Sequence, residues 1–256
     1  MTLVRVLHAE LLKMKRTVAL KMVVISPLAV VLLVFLAAYQ APFSTLNFNG
    51  IRNKWTVLAS LTLRAWAILM MPLYITLETA LVAGLDHSEN QWKSLLARPV
   101  PPWTLYIAKL LVVMAMTVLS TLVLLCGILI GGSVLARVQS AVVFGFPVPW
   151  VAIFQDGVDV MGLAFLALTI QHWVSLRWRS FSVSIGIGIL ALVAGFFAVA
   201  AGQQADSWLQ YFPWALPMMV LAKRPHNIEA ALLISTAFGL GVVAAGCLDF
   251  CRREVK

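Results

Sequence analysis

Six apolar runs recur along the chain, at about 17–39, 63–85, 105–130, 158–174, 181–201 and 228–248. Crossing the hydrocarbon core of a bilayer takes about 20 residues of helix. A helix also satisfies its own backbone hydrogen bonds where no water can do so. Only 11% of the residues are charged and 62% are hydrophobic, with a mean hydropathy of +0.95. Soluble domains carry about 25% charged residues, so this chain has too little polar surface to cover a water-soluble globule. The predicted fold is an all-α polytopic membrane protein, one transmembrane domain over residues 1–256.

A net charge of +9 would suggest nucleic acid if the chain were soluble. In a membrane protein it reads instead as the excess of Lys and Arg that collects in cytoplasmic loops, and no nucleic-acid partner is expected. Six spans put both termini on one side. With the termini, 86–103 and 176–180 on the cytoplasmic side, that side and its helix ends hold thirteen of the nineteen basic residues, among them Lys13, Lys93, Arg98, Lys109 and Arg177. The orientation is therefore both termini inside. The run Met22–Tyr39 exceeds the ~7–15 residues of a signal-peptide core and reads as the first span. Ahead of it, residues 2–16 place Leu3, Leu7, Leu11 and Met14 on one stripe, which suits an amphipathic helix on the membrane surface. The competing reading is a simple extension of the first span.

Between the second and third spans lies a segment too elaborate for a plain return. Ser88-x-x-Gln91 has capping-box spacing, with Asp86-x-x-Glu89 as a second register. Trp92, Leu95 and Leu96 fall on one face of a short helix over 88–97. Lys93 and Arg98 lie towards its C-terminal end, where they complement the dipole, and Pro99, Pro101 and Pro102 follow. A helix this short is marginal alone in water, so its apolar face needs a protein groove or the membrane surface. We read 86–103 as a docking element, with Glu89, Trp92, Lys93, Leu95, Leu96 and Arg98 as its contact residues. In the span before it sits Glu78. A carboxylate within hydrocarbon is costly and usually faces the bundle interior or a polar partner; the alternative is a depth shallow enough to meet interfacial water.

The connection 202–227 is unusual too. Its middle is as apolar as a span but is broken by Pro213 and Pro217, and Trp208, Tyr211, Phe212 and Trp214 suit a membrane interface. It reads as a re-entrant or interfacial hairpin, tolerated at depth only against protein or a water-filled cavity, or as an ordinary aromatic belt. Small-xxx-small pairs such as Ser184/Gly188 and Ala237/Gly241 permit close helix packing, within the chain or between chains.

Catalytic chemistry is not visible. The chain has no P-loop, no HExxH, no GxSxG and no pair of intramembrane aspartates. Its four histidines lie in separate segments, so no metal site is assigned, and three cysteines give no disulfide framework.

The N-terminal helix, six spans, the carboxylate in the second and the stretch WKSLLARPVPPWTLYIAKL resemble the permease subunits of ABC-2 type exporters, most of all the small lantibiotic-immunity-type permeases of bacteria. The topology matches over nearly the whole chain, the motif over about 78–110. The resemblance implies a multi-pass protein of the bacterial cytoplasmic membrane, paired with a second permease copy or a paralogue. It also implies cytoplasmic ABC ATPase subunits that carry ATP and Mg, so that this chain needs no cofactor of its own. It makes 88–97 the coupling helix, 2–16 the connecting helix, and the connection containing Trp208, Phe212, Pro213, Trp214 and Pro217 an outer gate. Transport of a peptide, lipid or other amphipathic substrate would follow. Two rivals remain, an ion-coupled secondary transporter and a non-transporting membrane scaffold; the first would need mid-membrane ion sites and repeated broken helices, and neither is evident.

Overall fold

Apolar runs that close their own backbone hydrogen bonds give helices throughout. The computed structural model describes residues 2–40, 53–88, 101–138, 147–178, 180–200, 212–221 and 228–252, and every regular element among them is helical. Six helical stretches are long and apolar enough to cross a membrane.

Helix α1 (Thr2–Met14) and helix α2 (Val18–Gln40) are separate elements. Arg16 breaks the ladder with φ 67°, a left-handed conformation uncommon outside glycine. The Thr17 hydroxyl then donates to the Met14 carbonyl at 2.8 Å. Helix α3 (Lys54–Ala65) starts where the Asn53 side chain accepts from the Trp55 amide at 3.0 Å, an N-cap of ordinary kind. It runs through a π-turn (Trp66–Met70) into α4 (Met71–Ser88). The reason for the π-turn lies in Pro72. Its ring collides with the carbonyl four residues back in a regular helix, and the wider turn, in which the Met71 amide reaches the Trp66 carbonyl, moves that carbonyl aside.

Helix α5 (Pro102–Val138) has 37 residues, about 55 Å at 1.5 Å per residue, well beyond the hydrocarbon thickness. The sequence suggests that Gly131, Gly132 and Ser133 end this run, but the helix continues through them. Those glycines serve packing. A Cβ on Gly132 would lie 2.4 Å from the Trp55 ring, and one on Gly131 would face Val31 and Phe35, so they let α2 and α3 approach. Helix α6 (Trp150–Arg177) likewise begins earlier than its apolar run, after Pro149. Helix α7 (Phe181–Ala200), a short α8 (Leu216–Leu221) and α9 (Ile228–Cys251) complete the set.

Helices α5 and α6 form the centre. Helices α1 and α2 pack on α5, α9 lies along α6, α4 crosses α6 and α7, and α8 tucks against α6. The Ser235 hydroxyl of α9 donates to the Gly162 carbonyl at 2.9 Å. Gly239 of α9 meets Phe165, and Gly246 meets Tyr106. Large apolar residues such as Leu33, Leu190, Phe197 and Leu233 stay exposed on the outside, as a lipid-facing surface requires.

Candidate functional site

The docking residues read from the sequence, Glu89, Trp92, Lys93, Leu95, Leu96 and Arg98, lie outside the described residues, as does Trp208. The two helices that lead into that segment are in view. Helix α4 enters it from Ser88. Helix α5 leaves it at Pro102, where proline at the first helical position costs nothing; the Thr104 amide and hydroxyl both donate to the Pro101 carbonyl, at 3.0 and 2.6 Å.

Glu78 lies on α4 and is 0% exposed, so within this chain it does not reach interfacial water. Neither of its oxygens accepts a hydrogen bond among the described residues. Tyr74, one turn earlier, directs its hydroxyl towards Ser120 of α5, but the two oxygens do not meet hydrogen-bond geometry. Trp66 stacks at a tilt on Tyr74, with ring centroids 5.9 Å apart.

The neighbouring face of α4 is satisfied. Ser175 of α6 donates to the Thr79 hydroxyl at 3.0 Å and lies 2.7 Å from the Ser184 hydroxyl of α7. Thr79 in turn donates to the Ile75 carbonyl at 2.8 Å. With Ser175 and Thr79 each donating onward, Ser184 is the donor to Ser175. The chain of protons therefore runs one way, from α7 through α6 to α4. Gln171 fastens its end by donating from Nε2 to the Ser184 carbonyl at 2.9 Å. A Cβ on Gly188 would lie 2.3 Å from Thr76, so the pair Ser184/Gly188 packs within the chain.

A second polar contact ties α1 to the bundle. Lys109 of α5 and Glu10 of α1 form an ion pair at 2.6 Å, 1% and 2% exposed, and Lys13 adds a contact at 2.7 Å. Lys109 counts among the cytoplasmic basic residues by sequence, yet it faces the interior. The signal was present: Glu10 falls on the stripe of Leu3, Leu7 and Met14, the wrong residue for a face laid on lipid. Nearby, the Tyr106 ring meets His172 edge-on at 4.9 Å. Trp173 donates to Asp249 at 3.0 Å, and Arg177 lies 3.9 Å from the same carboxylate, which fastens α9 to α6.

The connection before α9 enters the description at Phe212. Pro213 follows in a turn, and Trp214, Pro217 and Met218 are buried. Trp214 and Met218 sit among Ala167, Leu192, Ile68 and Leu73. A Cβ on Gly195 would be 3.2 Å from both Phe212 and Trp214, so α7 receives the aromatics closely. The segment is packed against protein, the condition under which irregular backbone survives at depth.

Among the described residues no group of three or more His, Cys, Asp or Glu is placed to hold a metal. The cysteines Cys126, Cys247 and Cys251 are free. What the arrangement provides is mechanical: polar contacts that fix helices to one another. Residues 6–197 match the family model described as ABC-2 family transporter protein. No curated protein and no solved structure matches the chain.

Proposed function

The chain belongs to the ABC-2 family of transporter membrane proteins, and on that premise we propose that it is the permease of an ATP-driven exporter moved by a docking element at 86–103. In this family the membrane chain is the non-catalytic permease, and hydrolysis takes place on a partner ATPase. The partners are then cytoplasmic ABC ATPase subunits, with ATP and Mg bound there, and a second permease copy or paralogue. Both termini lie in the cytoplasm of a bacterium, and the cargo is a peptide, lipid or other amphipathic molecule, as for the lantibiotic-immunity type.

The observation that carries this reading is the family match over 6–197, which takes in α4, the docking element and α5. Trp92, Leu95 and Leu96 supply the docked face, with Glu89, Lys93 and Arg98 around it. ATP binding closes the ATPase dimer and shifts the docking element, and α4 moves with it. Such a shift requires contacts that differ between the two states. At the far side Trp208, Phe212, Pro213, Trp214 and Pro217 act as the gate. The burial of Trp214 beside Ala167 of α6 and Leu192 of α7, and of Pro217 as well, supports an element that closes a path rather than a belt lying in lipid.

Purification of the tagged chain from native membranes tests the reading. An ABC ATPase is expected to accompany it, with vanadate-sensitive hydrolysis stimulated by cargo. Recovery of the chain without any ATPase, under conditions that preserve membrane complexes, would contradict it.

A further inference from the structure

Four buried polar side chains lie along α4 with its π-turn and on the neighbouring α5, Tyr74 beside Trp66, Glu78 and Ser120, and among the described residues the polar groups concerned find no hydrogen-bond partner. Glu78, Ser120 and Trp66 are 0% exposed and Tyr74 is 2% exposed. The Glu78 oxygens, the Tyr74 and Ser120 hydroxyls and the Trp66 indole nitrogen have no hydrogen-bond partner among the described residues. The contrast with their neighbours is sharp. Thr117 and Thr121, on the same helix as Ser120, donate to carbonyls one turn back at 2.9 and 3.0 Å, the usual resort of a hydroxyl within a helix. Thr76 and Thr79, between Tyr74 and Glu78 or next to it, do the same.

Buried polar groups in native proteins are nearly always partnered, by protein or by water. Glu78, Trp66 and Ser120 expose no surface and Tyr74 almost none, so the seam is shut here. Leaving such groups unmade is unfavourable, and most unfavourable for a carboxylate. Opening the seam would hydrate all four at once. The helix that must move is built for it: the π-turn at Trp66–Met70 and Pro72 interrupt the span just before Tyr74, and such interruptions are where helices bend.

We propose that the α4–α5 seam is a binding crevice for water and small cations, shut in this arrangement and open in a second one. The selectivity follows from charge. Glu78 is the only acid of the four and ionises once water reaches it, so the opened crevice attracts cationic solutes and repels anionic ones. All four residues belong to one chain, and the site does not depend on docking to an ATPase.

The test uses the purified chain alone in lipid nanodiscs. Ser120→Cys is introduced in a background with Cys126, Cys247 and Cys251 replaced by serine, and its labelling by a cationic and an anionic methanethiosulfonate is timed. After correction for each reagent's rate with a free thiol in solution, the cationic reagent is expected to react several-fold faster. Adding Glu78→Met should remove that preference. In the same background Glu78→Met alone should raise the thermal midpoint, because an apolar side chain suits the shut seam better than an orphaned carboxylate. Failure of both reagents to label, or charge-independent rates unchanged by Glu78→Met, would overturn the crevice. So would a fall in the thermal midpoint, which would mean that Glu78 is partnered in the shut form.

Discussion

At the scale of single residues, two buried carboxylates are handled in opposite ways. Glu10 is matched by Lys109 at 2.6 Å, whereas Glu78 is matched by nothing among the described residues. Removing one member of a buried ion pair leaves the other uncompensated, typically at about 3–5 kcal/mol, whereas removing both is far milder. Lys109→Met should therefore lower the thermal midpoint markedly, softened in part by Lys13, which also contacts Glu10. The double variant Glu10→Gln with Lys109→Met should recover much of the loss. A double-mutant cycle in which the two losses simply add would remove the pair from the account. Glu78 was legible from sequence as an acid inside an apolar run, and its interior placement follows from the expense of the alternative. Its neighbours Tyr74 and Ser120 were not legible, because a tyrosine or serine in a span draws no notice until a facing helix brings it opposite a carboxylate.

Helices show the same division between what a pattern reveals and what contact decides. The six runs were plain in hydropathy, since apolar length is a local property. Their ends were not. Gly131 and Gly132 look like terminators, but the helix runs on because Val31, Phe35, Trp55 and Leu58 occupy the space that side chains would take. The amphipathic stripe of α1 was visible as well; that Leu7 and Met14 turn towards protein while Leu11 and Leu12 remain exposed depends on α5, far away in sequence. Small residues give the clearest test at this scale. Gly188 has Thr76 against it, whereas Gly186, half a turn away, has nothing within 4 Å. Gly188→Ala should destabilise the α4–α7 contact by about 1–3 kcal/mol, the usual effect of overpacking. Gly186→Ala should be neutral or mildly stabilising, as alanine is the better helix former. Thermal unfolding of the two variants side by side checks this, and equal midpoints would mean that α7 does not pack on α4 as described.

For the whole molecule, the polar contacts converge on the end of the bundle where α4 ends and α5 begins. The ion pair holds α1 to α5, the hydroxyl chain holds α4 to α6 and α7, and Asp249 holds α9 to α6. The proposed displacement of α4 would then be passed to α6 and α7 through Ser175 and Ser184. If the orientation is both termini inside, reporter fusions at the C-terminus and at 176–180 should report the cytoplasm, and a fusion within 139–146 should report the opposite side; any other pattern would reverse the assignment of docking element and gate.

In the proposed mechanism energy reaches this permease through residues 88–97. Its most direct test is cargo-stimulated ATP hydrolysis by the reconstituted permease–ATPase complex, comparing the native chain with Leu95→Asp/Leu96→Asp. Membrane insertion should be unchanged, the ATPase should keep its basal rate, and stimulation by cargo should disappear. Full stimulation in the double variant would contradict the account.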